Sequence, residues 1–161
     1  MRGLWIEVDL GAQRLELRDA ERRLMAFPIS SAANGAGERD GSGCTPRGRH
    51  RVRARIGAGA APGTVFVGRR PTGEVWRPAR GGAAPEGDPI LSRILWLCGC
   101  EPGRNRLGAV DTMRRYIYIH GAPDDAPIGE PRSHGCIRMR NADVIALFDA
   151  VPVGTPVEIH E

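Results

Sequence analysis

Alternation with period two, repeated along the chain and cut by tight turn signals, is the feature that most limits what this sequence can fold into. Leu4, Ile6 and Val8 share one face, Gly11-Ala12 turns the chain, and Leu15 and Leu17 alternate back. Asp19-Ala20-Glu21 turns it again, and Leu24 to Ile29 reads as a third strand of an N-terminal meander. With 22 Gly and 13 Pro, the chain has the punctuation of many short strands rather than of long helices. One segment departs from the pattern. Asn141 is a good N-cap, Val144, Ile145, Leu147, Phe148 and Val151 follow at helical spacing, and Pro152 closes the run, which predicts a helix over about 142–150. The expected fold is mainly β and sandwich-like with a C-terminal α-helix, built as one domain over 1–161. The Gly- and Pro-rich stretch 81–89 is read as a loop inside it, because strand-like sequence stands on both sides.

Arginine occupies every odd position from 47 to 55. A regular strand there places all five guanidinium groups on one face and Val52, Ala54 and Ile56 on the other. The formal net charge is +4, yet aromatic residues make up only 5% and no nucleic-acid motif accompanies the stripe, so nucleic acid is not expected as a partner. Attraction of a carboxylate-rich ligand is the better use of such a face, and for most of the five a solvated surface is the default. The best apolar run, Ile94 to Cys98, is too short for a membrane span and reads as a strand or a buried helix turn. Because alternation starts at Leu4 with no hydrophobic leader core before it, the chain as given is expected in the cytoplasm, and in the periplasm or cell wall if its start is truncated.

Of the four cysteines, Cys44 lies in a turn, and Cys98 and Cys100, on one face of a strand, are expected as buried free thiols. Cys136 differs. It stands in Ser133-His134-Gly135-Cys136-Ile137-Arg138-Met139, downstream of Tyr116-Ile117-Tyr118-Ile119-His120, whose alternation sends Ile117 and Ile119 to the core and Tyr116, Tyr118 and His120 to the opposite face. Gly121 then ends the strand and opens a polar loop that returns to Cys136. A thiol attacks as thiolate and needs an imidazole or oriented N–H groups nearby. His120 and His134 are the two candidate bases, and the N–H groups of Gly135 and Cys136 suit an oxyanion hole. A zinc set from His50, His120, His134 and Cys136 lacks ligand spacing, so neither metal nor cofactor is expected.

His120-Gly121, a loop and then Ser133-His134-Gly135-Cys136-Ile137-Arg138 resemble the signature of the L,D-transpeptidase catalytic domain, the YkuD-type domain. Thr45-Pro46-Arg47-Gly48, Glu101-Pro102-Gly103-Arg104-Asn105 and Gly154-Thr155-Pro156-Val157 extend the resemblance over nearly the whole chain. It implies Cys136 as nucleophile, His120 as base, the Gly121 carbonyl as the group that orients the imidazole, and His134, Gly135 and Cys136 as oxyanion-hole donors. Arg138, Ser133 and Tyr118 are the expected substrate-binding residues, Arg138 for a carboxylate. The implied substrates are peptidoglycan stem peptides or soluble muropeptides, attacked at the diaminopimelate–D-alanine bond. The outcome is a crosslink if an amine takes the acyl group and L,D-carboxypeptidation, as in muropeptide recycling, if water does. A non-catalytic peptidoglycan-binding module is the rival of another class, a papain-like peptidase is disfavoured because it places histidine after cysteine, and a monomer is expected.

Overall fold

The computed structural model describes residues 3–77 and 88–161, so the expected loop over 81–89 lies, for residues 81–87, outside the described residues. The alternating segments form β1 (Leu4–Asp9), β2 (Arg14–Asp19) and β3 (Arg22–Pro28), each antiparallel to the next. Then come β4 (Gly48–Ile56), β5 (Thr64–Val67), β6 (Arg70–Val75) and the long β7 (Ile90–Gly99). The chain ends with β8 (Tyr118–Ala122), β9 (Ile137–Arg140), the helix α1 (Asn141–Ala150) and β10 (Pro156–His160).

Among the described residues one curled sheet carries ten strands, eight of them in the order β3-β2-β1-β10-β4-β7-β5-β6. Residues 94–96 of β7 pair with β4 on one edge and β8 on the other, and β9 lies parallel to β8. Inside the curl, Ile6, Val8, Leu15, Leu17, Leu95 and Ile119 pack against Val144, Leu147 and Phe148 of α1. Full burial of such side chains contributes roughly 1.5–3 kcal/mol each. Packing rather than capping therefore holds α1, whose N-cap position, Arg140, makes no side-chain cap bond. Asn141 is not the cap but the first helical residue. Its amide bridges buried backbone and side-chain groups, donating to Ala122 O at 2.9 Å and Asp124 Oδ1 at 3.0 Å while accepting from Ser92 Oγ at 2.5 Å.

A β-bulge between Val52 and Ala54 breaks the arginine stripe. Arg49, Arg51 and Arg53 stay exposed, but the extra residue reverses the facing of the strand beyond it. Arg55 therefore turns to the helix side, its guanidinium 4.0 Å from the Phe148 ring centre and donating to Phe148 O at 2.7 Å. Arg47, ahead of the strand, pairs with Glu38 and Glu161. The single five-arginine face expected from the sequence does not form. On the opposite side of the sheet a smaller cluster joins Phe66, Ile94 and Tyr118 with Ile56, Trp96 and Cys136, and there the candidate site lies.

Candidate active site

β8 and β9 run side by side in parallel, with Ile119 beside Ile137 and His120 beside Arg138. Ile117, Ile119 and Ile137 enter the main core, as the alternation requires, so Tyr118, His120 and Arg138 look the other way together with Cys136, just ahead of β9. Two boundaries differ from expectation. Tyr116, with φ 57, precedes the strand instead of starting it. Gly121 does not end the strand: it pairs with Leu91 and Met139, and a Cβ there would strike Asn141 Oδ1 and Leu91 O. The Gly121 carbonyl lies 2.7 Å from His120 Nδ1. With Nδ1 as the donor, Nε2 is left as the basic nitrogen.

The turn ahead of β9 is braced from distant segments. Thr45 Oγ1 accepts from Ala32 N–H at 3.0 Å and donates to Gly135 O at 2.9 Å. Gly135 sits at φ 136, where a Cβ would press on Cys44 O and Ile117 Cδ1. Asn105 fastens the neighbouring turn, donating to Arg47 O at 3.0 Å and Arg49 O at 3.1 Å. Ser133, expected at the substrate, is instead buried inside the turn, accepting from Gly135 N–H at 3.2 Å and donating to Cys136 O at 2.5 Å. Of the three expected oxyanion-hole N–H groups, Gly135's is thus engaged. Those of His134 and Cys136 have no acceptor among the described residues.

Cys136 Sγ rests on the backbone of the histidine segment, donating to Tyr116 O at 3.3 Å and accepting from Tyr118 N–H at 3.3 Å. No hydrogen bond joins it to His120 in this resting arrangement. Burial pushes the thiol up to about 11; the Tyr118 N–H and the Arg115 guanidinium pull against this and Asp88 adds to it. Burial likewise lowers His120, against the Gly121 carbonyl and Asp88, which favour its protonated form. Both partners therefore rest neutral at pH 7. A neutral thiol can pass its proton to a neutral imidazole as the sulfur attacks, so the arrangement has the parts for acyl transfer.

The other expected residues fall in distinct places. The His134 side chain projects into solvent, 83% exposed, with Nδ1 3.6 Å from Asp88 Oδ2. Arg138 is buried, donating to Asp88 Oδ1 at 3.1 Å and Ser30 Oγ at 3.3 Å, while its Nε has no partner among the described residues. Tyr118 reaches the sulfur through its backbone; its ring stands edge-on to Trp96 and its hydroxyl accepts from Arg69 at 3.1 Å. Sequence reasoning missed Asp88 and Arg115. Arg115 lies beneath the cysteine turn, donating to Cys44 O at 2.6 Å and to the carbonyls of Gly37 and Glu38. Only an acid at the mouth of the strand beside the histidine strand could have pointed to Asp88. Nothing local singles out Arg115 among so many arginines.

The model of the YkuD-type L,D-transpeptidase catalytic domain matches residues 3–159 of this chain. The chain belongs to that family. It is 40% identical over 97 residues to the Salmonella typhimurium protein ErfK/SrfK, named as an L,D-transpeptidase, in a match covering 58% of this chain and 30% of that protein. To the Bacillus subtilis protein YkuD it is 49% identical over 47 residues, 29% of each. The chain thus spans a third or less of the length of these curated relatives. Among solved structures, an L,D-transpeptidase from Mycobacterium smegmatis superposes with a TM-score of 0.61 at 19% identity, over 99% of this chain and 59% of that one. L,D-transpeptidase 3 from Mycobacterium tuberculosis, solved with a faropenem-derived adduct, gives a TM-score of 0.59 at 17% identity, over 99% and 60%.

Proposed function

We propose that the protein is a cysteine acyltransferase acting on the L,D bond between diaminopimelate and the terminal D-alanine of peptidoglycan tetrapeptide stems. The observation that carries this is His120, held through Nδ1 by the Gly121 carbonyl on the same strand face as Cys136. Sγ leaves Tyr116 O and attacks the carbonyl carbon while its proton passes to Nε2 of His120. The N–H groups of His134 and Cys136 take the oxyanion. The C–N bond then breaks, D-alanine departs with the proton from His120, and a thioester remains on Cys136. An amine of a second stem, or water, attacks the thioester, gives its proton to His120, and the sulfur leaves as the thiol. The amine route yields a crosslink and the water route a tripeptide.

Incubation with a tetrapeptide muropeptide tests the reading by intact mass and product analysis. A thioester adduct and released D-alanine are expected from the unaltered chain, and neither from Cys136→Ala. A penem or carbapenem should add one molecule to the unaltered chain and none to that variant. Undiminished D-alanine release by Cys136→Ala would overturn the assignment. The ratio of dimer to tripeptide identifies the acceptor.

A further inference from the structure

Beyond Trp96 on the face of the sheet that carries Cys136 lies a cleft of about 390 Å³, lined by Arg53, Arg106 and Arg114 with Cys98, Asp111 and Met113. Arg53 is the residue at the β4 bulge, which separates it from the regular ladder beside Cys98. Arg47 and Arg49 have acidic partners nearby, whereas Arg53, Arg106 and Arg114 make no ion pair and no side-chain hydrogen bond among the described residues. Asp111 does not neutralise them by contact, because its carboxylate accepts from Leu107 N–H at 2.6 Å and Arg114 N–H at 3.0 Å. Burial works to raise that carboxyl, but those two N–H groups and the guanidinium groups of Arg114 and Arg106 hold it below its ordinary value. Cys98 adds no charge at neutral pH: burial and Cys100 push its thiol up, against Arg53 and Arg106. The lining therefore presents three cations against one committed carboxylate.

Trp96 stands between the cleft and the site. Trp96 and Cys98 share a face of β7, Trp96 is the register partner of Tyr118, and Trp96 Nε1 donates to Met113 O at 3.1 Å. From Tyr118, whose N–H contacts the sulfur, the path crosses one strand spacing of about 5 Å and two strand residues of about 7 Å. An extended peptide of about four residues covers that distance. Guanidinium groups take carboxylates by paired N–H···O bonds.

We propose that the Arg53–Arg106–Arg114 cleft binds a carboxylate of the peptide stem remote from the bond that Cys136 attacks; this rests on the acyl-transfer reading above. The test uses the Cys136→Ala protein with 13C-labelled methionine methyl groups, titrated with tetrapeptide muropeptide and, separately, with citrate as a carboxylate probe. A saturable shift of the Met113 methyl resonance is expected with each, with citrate competing against the muropeptide. Arg106→Gln combined with Arg114→Gln should weaken both at least tenfold, while Arg22→Gln, which removes one positive charge from β3, leaves both within twofold. In the chain with its cysteine, the double substitution should raise KM about tenfold and change kcat less. A muropeptide that leaves Met113 unshifted, or equal losses in the double variant and in Arg22→Gln, overturns the proposal. Failure of the acyl-transfer reading looks different: the thioester never forms while the Met113 shift and its arginine dependence persist.

Discussion

Two buried imidazoles, His50 on β4 and His120 on β8, each turn Nδ1 to a nearby backbone carbonyl, that of Gly48 at 3.0 Å and that of Gly121 at 2.7 Å. Burial lowers the proton affinity of both, bringing His50 down to about 4. They differ at the far nitrogen. His50 Nε2 is closed by Thr112 Oγ1 at 2.9 Å, whereas His120 Nε2 has no hydrogen-bond partner among the described residues and shares its strand face with Cys136. The same anchoring that fixes a tautomer thus makes a structural tie where the second nitrogen is satisfied and a proton acceptor where it is left open.

The largest expected effect separates the two by activity. His120→Ala should slow acylation by ~10²- to 10⁴-fold, far more than His134→Ala, whose contribution runs through a backbone N–H that the substitution keeps. The reverse ranking in single-turnover acylation would exchange their roles. His50→Ala should keep the chemistry of the folded protein while lowering stability by about 2–4 kcal/mol, because it empties a packed site and strands the Thr112 hydroxyl. In a melting experiment that is a fall of about 5–15 °C for a chain of this size.

Acidification gives the next effect. The unfolded chain protonates His50 near its ordinary value of 6.5, whereas the fold resists until about 4. Stability is therefore full above about pH 6.5 and lost as pH falls from there toward 4, by about 3 kcal/mol from this residue. Urea denaturation across that range should show the loss, and His50→Gln should shrink it. On the open side, with the Cys136 thiol raised to about 11, alkylation by iodoacetamide should still be climbing at pH 10. A plateau at neutral pH would mean a preformed thiolate–imidazolium pair. The smallest effect comes from Thr112→Val, which opens His50 Nε2 and should cost about 1–2 kcal/mol of stability with acylation unchanged.

Legibility in the sequence tracks the range of each interaction. The meander, the inward isoleucines of the histidine segment and the C-terminal helix are legible, because side-chain alternation and helical spacing are set by neighbours a few residues apart. The β4 bulge is not. One inserted residue moves Arg55 across the sheet, and no local signal distinguishes Arg53 as the residue displaced. Asn141 looks like a cap in the sequence and is not one for the same reason, since its partners Ser92 and Ala122 lie on other strands.

The candidate site divides in the same way. By itself the sequence determined which residue types carry the chemistry, and put His120 on the face opposite Ile117 and Ile119, because a strand leaves each side chain only two directions. Only the tertiary structure decided that Ser133 is spent within its own turn, that Thr45 reaches across the fold to Gly135, and that Asp88 stands beside Arg138. It alone separated His50 from His120, two buried histidines with the same anchoring bond, through whether a hydroxyl from another segment meets Nε2. Hydrogen bonds and burial act through space, and the distances on which they depend are fixed only when the sheet has curled and its strands have found their register.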